Sequence, residues 1–152
     1  MRVSDILEPD RVRPDLQLTS KKRVLETLSE LLAAGDPAVS ESATLDALFA
    51  RERLGSTCLG HGVAVPHERV ASVEETKGAF LRLDKALDFD SSDGQPVDLV
   101  FGLLVPEESG DEHVRILSEL TRRLGNEEVR ARIRSAGSAR DIWDLLCRES
   151  AE

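Results

Sequence analysis

The ten residues "VDLVFGLLVP", 97–106, constrain the fold more than any other stretch of this chain. They are almost continuously apolar and are bounded by Pro96 and Pro106. The run is too short to span a bilayer. It has neither the helical nor the alternating period of a half-exposed element. Such a run is typical of a central strand covered on both faces. That strand requires a covering layer on each face of the sheet.

The helices are legible. In "SKKRVLETLSELLAAG", Val24, Leu25, Leu28, Leu31 and Leu32 recur at helical spacing, and Gly35 offers the stop. Asp36-Pro37 makes a turn. Ser42 to Arg53 reads as a second helix, with Leu45, Leu48 and Phe49 on one face and Gly55 just past its end. The last third predicts helices over 111–124, 127–135 and 139–149. Asn126 and Ser138 serve as N-caps, and Ser138 with Asp141 resembles a capping box. "GAFLRLDKALDF" reads as a strand, followed by a turn at "DSSDGQP". Residues 1–19 carry Pro9 and Pro14 and read as an irregular lead-in with a short strand at "DLQLT". Helices before, between and after buried strands predict one α/β domain over residues 1–152, a mixed sheet flanked by helices on both faces.

The net charge is -9 at pH 7. An acidic chain repels phosphate backbones and anionic lipid, which argues against nucleic acid and membrane surfaces as partners. The N-terminus "MRVSDILEPD" lacks the apolar region of a signal peptide, so a cytoplasmic location is expected, without membrane insertion. Cys58 and Cys147 read as free thiols.

Two of the three histidines stand in places suited to chemistry. "GSTCLGHGVAVPH" reads as two short extended pieces around a glycine turn. His67 then follows Pro66 at the rim of the sheet, where a strand hands over to a loop and a partner can reach the ring. Ser109 and Glu112 fit a capping box, so a helix is expected from about Gly110 with His113 in its first turn. Ile116, Leu117, Leu120 and Leu124 put His113 on the inward face, at the positive end of the helix dipole. Taken singly, His67 also reads as a surface histidine and His113 as a hydrogen-bonded core one. Taken together they suit phosphoryl transfer. A neutral histidine is a competent acceptor, and His113, a helix N-terminus, amides near Gly60 and Gly62 and an arginine could hold the phosphoryl oxygens.

"LFARERLGSTCLGHGVAVPHERV" and "PVDLVFGLLVPEESGDEHVRILSELTRRL" strongly resemble the two signature segments of the phosphotransferase-system (PTS) enzyme IIA (EIIA) family, fructose/mannitol type. They are most similar to its stand-alone nitrogen-regulatory branch. The resemblance runs from "SKKRVLETLSELLA" to the C-terminal helix. It implies a single EIIA type-2 domain with a mixed sheet of about five strands. His67 matches the histidine that accepts a phosphoryl group from a histidine-containing phosphocarrier protein. His113 matches the accessory histidine, expected to donate a hydrogen bond, and Arg51 the arginine that helps hold the group. No cofactor is implied. The implied output is regulatory, through phosphorylation-dependent contact with a further protein. The alternative is a soluble EIIA subunit of a sugar transporter, passing phosphoryl to an EIIB domain.

The sequence departs from the family pattern at three places. His61 stands where Asn is common, Cys58 where a small residue is, and Glu68 where Gly or Ala follows the acceptor. Glu68 is expected to point into solvent, with little effect on transfer. Two other readings compete. Cys58, His61, His67 and His113 could cluster around a metal, but their spacing is not that of a zinc site. Glu68 is the best argument for a binding module that has lost transfer.

Overall fold

In the computed structural model, which describes residues 2–148, the apolar run lies in the middle of the sheet. Strand β6 (Val97–Pro106) pairs antiparallel with β5 (Lys77–Leu87) on one side. On its other side lie β3 (Val63–Ala64) and β4 (His67–Val70), both parallel to it. β1 (Val12–Leu16) runs parallel along β5, and β2 (Cys58–Gly60) antiparallel along β3. The sheet is mixed, as expected, but has six strands. Pro66 accounts for part of the difference. Having no amide hydrogen, it interrupts what would otherwise be one strand, so β3 and β4 occupy successive stretches of the same side of β6.

Helices α2 (Lys21–Ala33) and α3 (Glu41–Leu54) cover one face. Val24, Leu25, Leu28, Leu32 and Leu48 pack there with Val100 and Leu104 of β6. The contact is close at Gly102, where an added Cβ would lie 2.7 Å from Leu28 Cδ2. The other face carries α1 (Val3–Ile6), α4 (Glu112–Leu124), α5 (Glu127–Ser135) and α6 (Ala139–Cys147). Ile116, Leu120, Leu124, Ile133 and Ile142 pack with Leu99, Phe101, Leu103 and Val105. Alternate residues of β6 thus serve two cores, which is why the run reads as continuously apolar. Ser20, Ser40, Asn126 and Ser138 each accept a backbone N–H at a helix start. The last residue of the helix expected over 139–149 lies outside the described residues.

Two expectations are corrected. The lead-in is not irregular. It holds α1, a 3-10 turn at Pro9–Arg11 and β1, which starts three residues before "DLQLT" and shares its first two residues, Asp15 and Leu16. Val3, Ile6, Leu7 and Val12 are buried, and Arg11 donates to the carbonyls of Ile6 (3.0 Å) and Gly78 (2.8 Å). Pro14 is tolerated because β1 is an edge strand. Helix α4 begins at Glu112, later than expected, and the capping box does not form. Gly110, at φ 59°, turns the chain, Glu112 N–H approaches the Ser109 carbonyl, and Ser109 Oγ is buried without a partner. Among the described residues no helix is long and apolar enough to cross a membrane.

Candidate functional site

His67 does not end a strand; it opens β4. Its position is nevertheless fixed by the proline before it and by the strand beside it. Leu103 N–H donates to the Pro66 carbonyl (2.9 Å), and His67 lies in register with Leu103. Val65 N–H donates to the Thr57 carbonyl (2.9 Å), which holds the residue before the proline from the other direction. His67 is half-buried, and its Nδ1 lies 2.7 Å from the Val65 carbonyl oxygen. A carbonyl can only accept, so Nδ1 carries the hydrogen and the neutral ring has its lone pair on Nε2.

A cleft of about 190 Å³ forms around this edge of the sheet. It is lined by Arg51, His67, Glu68, Arg69 and His113, with Leu103, Val105 and Leu117 as its apolar wall. The structure therefore brings together the three residues singled out for phosphoryl chemistry, from three different elements. Arg51 comes from the last turn of α3, where its Nη1 donates to the Gly55 carbonyl (3.0 Å). That turn is tied down by the next residue: Lys21 Nζ lies 2.9 Å from Glu52 Oε1, and Thr57 Oγ1 donates to Glu52 Oε2. His113 is the second residue of α4, half-buried, with Nδ1 2.8 Å from the Gly110 carbonyl oxygen.

Arg69 was not singled out in the sequence, although alternation along β4 would have found it. Residues two apart on a strand share a face, and His67 and Arg69 lie opposite Leu103 and Val105. Arg69 Nη1 donates to the Glu107 carbonyl (3.1 Å), and Nη2 lies 3.1 Å from both ring nitrogens of His113. Glu68 departs from expectation. It is half-buried, lines the cleft, and accepts the Arg69 backbone N–H on Oε1 (2.8 Å). Glu68 is in register with Leu104, on the α3 side of the sheet, so its carboxylate folds back around the strand edge.

Gly60 and Gly62 are not in the cleft. They flank His61 in the turn joining β2 to β3, and the Gly62 carbonyl accepts from Asp98 N–H (3.0 Å) and Leu99 N–H (3.1 Å) at the start of β6. Val63 is in register with Leu99 and His67 with Leu103, a separation of about 13 Å along the sheet. The glycines are there for backbone geometry, with φ of 93° at Gly60 and 82° at Gly62. The four ligand-type residues are likewise scattered: Cys58 Sγ faces the Phe89 carbonyl, His61 N–H donates to Asp93, and only His67 and His113 share the cleft.

Residues 5–149 match the family described as phosphoenolpyruvate-dependent sugar phosphotransferase system, EIIA 2. The chain is 39% identical over 146 residues to a nitrogen regulatory protein of Bradyrhizobium diazoefficiens, covering 96% of this chain and 95% of that one. Its fold superposes on the crystal structure of nitrogen regulatory protein IIA-Ntr from Neisseria meningitidis with a TM-score of 0.89 at 39% identity, covering 95% of this chain and 98% of that one. The crystal structure of IIA mannitol from Escherichia coli is similar at a TM-score of 0.77 and 25% identity, covering 91% and 97%.

Proposed function

The chain belongs to the EIIA 2 family of the phosphoenolpyruvate-dependent sugar phosphotransferase system, and on that premise we propose that it is a cytoplasmic phosphoryl relay with a regulatory output. It takes a phosphoryl group on His67 from a histidine-containing phosphocarrier protein. The observation that carries this reading is the hydrogen bond from His67 Nδ1 to the Val65 carbonyl, which leaves Nε2 as the nucleophile in a cleft with two arginines.

The step balances without water or metal. The Nε2 lone pair forms the new N–P bond while the N–P bond to the donor breaks, and its electron pair returns to the donor imidazole. His67 keeps its Nδ1 hydrogen, so the phosphorylated ring gains positive character. The Val65 carbonyl, 2.7 Å away, stabilises that character as it develops. Arg51 brings a fixed positive charge to the cleft. Little more is asked of a protein in phosphoryl transfer than such positioning.

The regulatory output works by charge. Phosphorylation adds about -1.5 to -2 charges to a chain whose net charge is already -9. A protein docking over the cleft therefore meets two different surfaces. A sugar-transport subunit handing phosphoryl to an EIIB domain is the second reading, favoured by the likeness to the mannitol protein. The higher identity to nitrogen regulatory proteins favours the first.

The test is intact-mass analysis after incubation with phosphoenolpyruvate, the system's first enzyme and its phosphocarrier. Wild type should gain one phosphoryl group that is lost in acid and kept in alkali, and His67→Ala should gain none. Undiminished labelling of His67→Ala would overturn the assignment.

A further inference from the structure

The hydrogen count around His113 points away from its expected role. Its Nδ1 faces the Gly110 carbonyl at 2.8 Å, so Nδ1 carries the hydrogen of the neutral ring. Nε2 then offers only a lone pair. Arg69 Nη2 is 3.1 Å from both ring nitrogens, which places it over the ring face, away from the in-plane lone pair of Nε2. Neutral His113 therefore has no hydrogen left for a phosphoryl oxygen.

Arg69 has hydrogens to spare. A guanidinium carries five N–H donors in a planar fork that suits two phosphoryl oxygens at once. One goes to the Glu107 carbonyl (3.1 Å), and Nη2 packs over the His113 ring face, leaving four to reach phosphoryl oxygens. The side chain is exposed at the cleft and can turn. It rises from the same face of β4 as His67, two residues on, at a separation of about 7 Å between Cα atoms. That is within the reach of an extended arginine.

We propose that Arg69 is a phosphoryl-binding residue of this site. In the unphosphorylated protein its guanidinium rests over the His113 ring and on the Glu107 carbonyl. When His67 is phosphorylated it turns to the phosphoryl oxygens. His113 acts through it, as a positioning residue that keeps the guanidinium at the cleft. The charges facing Arg69 in the cleft are Arg51 and Glu68, the latter already engaged with the Arg69 backbone N–H. The inference rests on the reading that His67 carries the phosphoryl group.

The experiment compares wild type, Arg69→Gln, Arg69→Lys, His113→Ala and the double variant Arg69→Gln/His113→Ala. Three readouts are taken: the rate of labelling from the phosphocarrier, the lifetime of the phosphohistidine, and its 31P chemical shift. Arg69→Gln should label about a hundredfold to a thousandfold more slowly, with a shifted 31P resonance and a shorter lifetime. Arg69→Lys should recover part of the rate, since it restores charge without the fork. The double variant should be little slower than Arg69→Gln alone, because His113 works through Arg69. If wild type labels and Arg69→Gln matches it in rate, lifetime and 31P shift, the inference is overturned and the proposed function stands. Additive losses in the double variant would overturn the positioning role of His113. A wild type that takes no phosphoryl group at His67 overturns the proposed function, and this inference with it.

Discussion

Glu68 stands next to the acceptor, and its carboxylate lines the same cleft. A unit negative charge a few ångströms from a phosphoryl group costs about 1 kcal/mol in a well-solvated site. The cost falls on the phosphorylated form alone, so Glu68 favours handing the group on. Glu68→Gln removes the charge and keeps an acceptor for the Arg69 amide. The equilibrium with the phosphocarrier should shift about fivefold toward phosphorylated protein, as read by native gel or mass spectrometry; no shift would show the carboxylate to be fully screened. The residue scale is where the sequence was most and least informative. His67, Arg51 and His113 are recognisable because each sits in a long ordered motif. Glu68 and Arg69 depend on where β4 starts. With His67 read as the end of a strand, no alternation runs past it, so Arg69 gets no face and the expectation that Glu68 points into solvent has no pleat to rest on.

At the scale of elements, the turn at Gly60–Gly62 shows what the glycine pattern meant. His61 itself lies at φ 56°, a region that side chains other than glycine enter at a cost. Asp93 holds the turn by accepting His61 N–H on Oδ2 (2.9 Å), and it also accepts from Ser91 Oγ (2.7 Å) and Gln95 N–H (3.0 Å). The Ser91 hydrogen bond, with the two backbone ones, lowers its pKa from 3.8 to about 2. Because the folded value is depressed, the stability contributed is present above about pH 4 and is lost as pH falls toward about 2. Asp93→Asn should lower the urea midpoint at pH 6 and differ less from wild type at pH 3; a gap that stays constant would remove the carboxylate from the turn's support. Glycine spacing announced a turn, yet not which end of the sheet it occupies. That was decided by its pairing with residues far along the chain, at the start of β6.

On the scale of the whole molecule, the first and last described elements meet. Trp143 Nε1 donates to the Leu7 carbonyl (2.7 Å), across the face where Val3, Ile6 and Val12 are buried with Ile142 and Leu146. Trp143→Phe keeps the ring but strands that carbonyl. It should cost about 1–2 kcal/mol, measured by urea unfolding; an unchanged midpoint would mean that water replaces the indole. The central strand and its two helical layers were legible because burial on both faces leaves a continuous apolar run. The docking of residues 3–16 was not, because two prolines masked a segment whose burial depends on tertiary contacts. The same whole-molecule view gives β4 a second meaning. Among the described residues it pairs only with β6, and the amides of His67 and Arg69 point off the sheet. An open edge invites strands from other molecules. This one is short, charged at Glu68 and Arg69, and has one of its two outward amides covered by Glu68. The residues that shape the cleft thus also make this edge a poor template for edge-to-edge pairing. Drift toward apolar residues here would expose the edge to such pairing as well as strip the cleft of its charges.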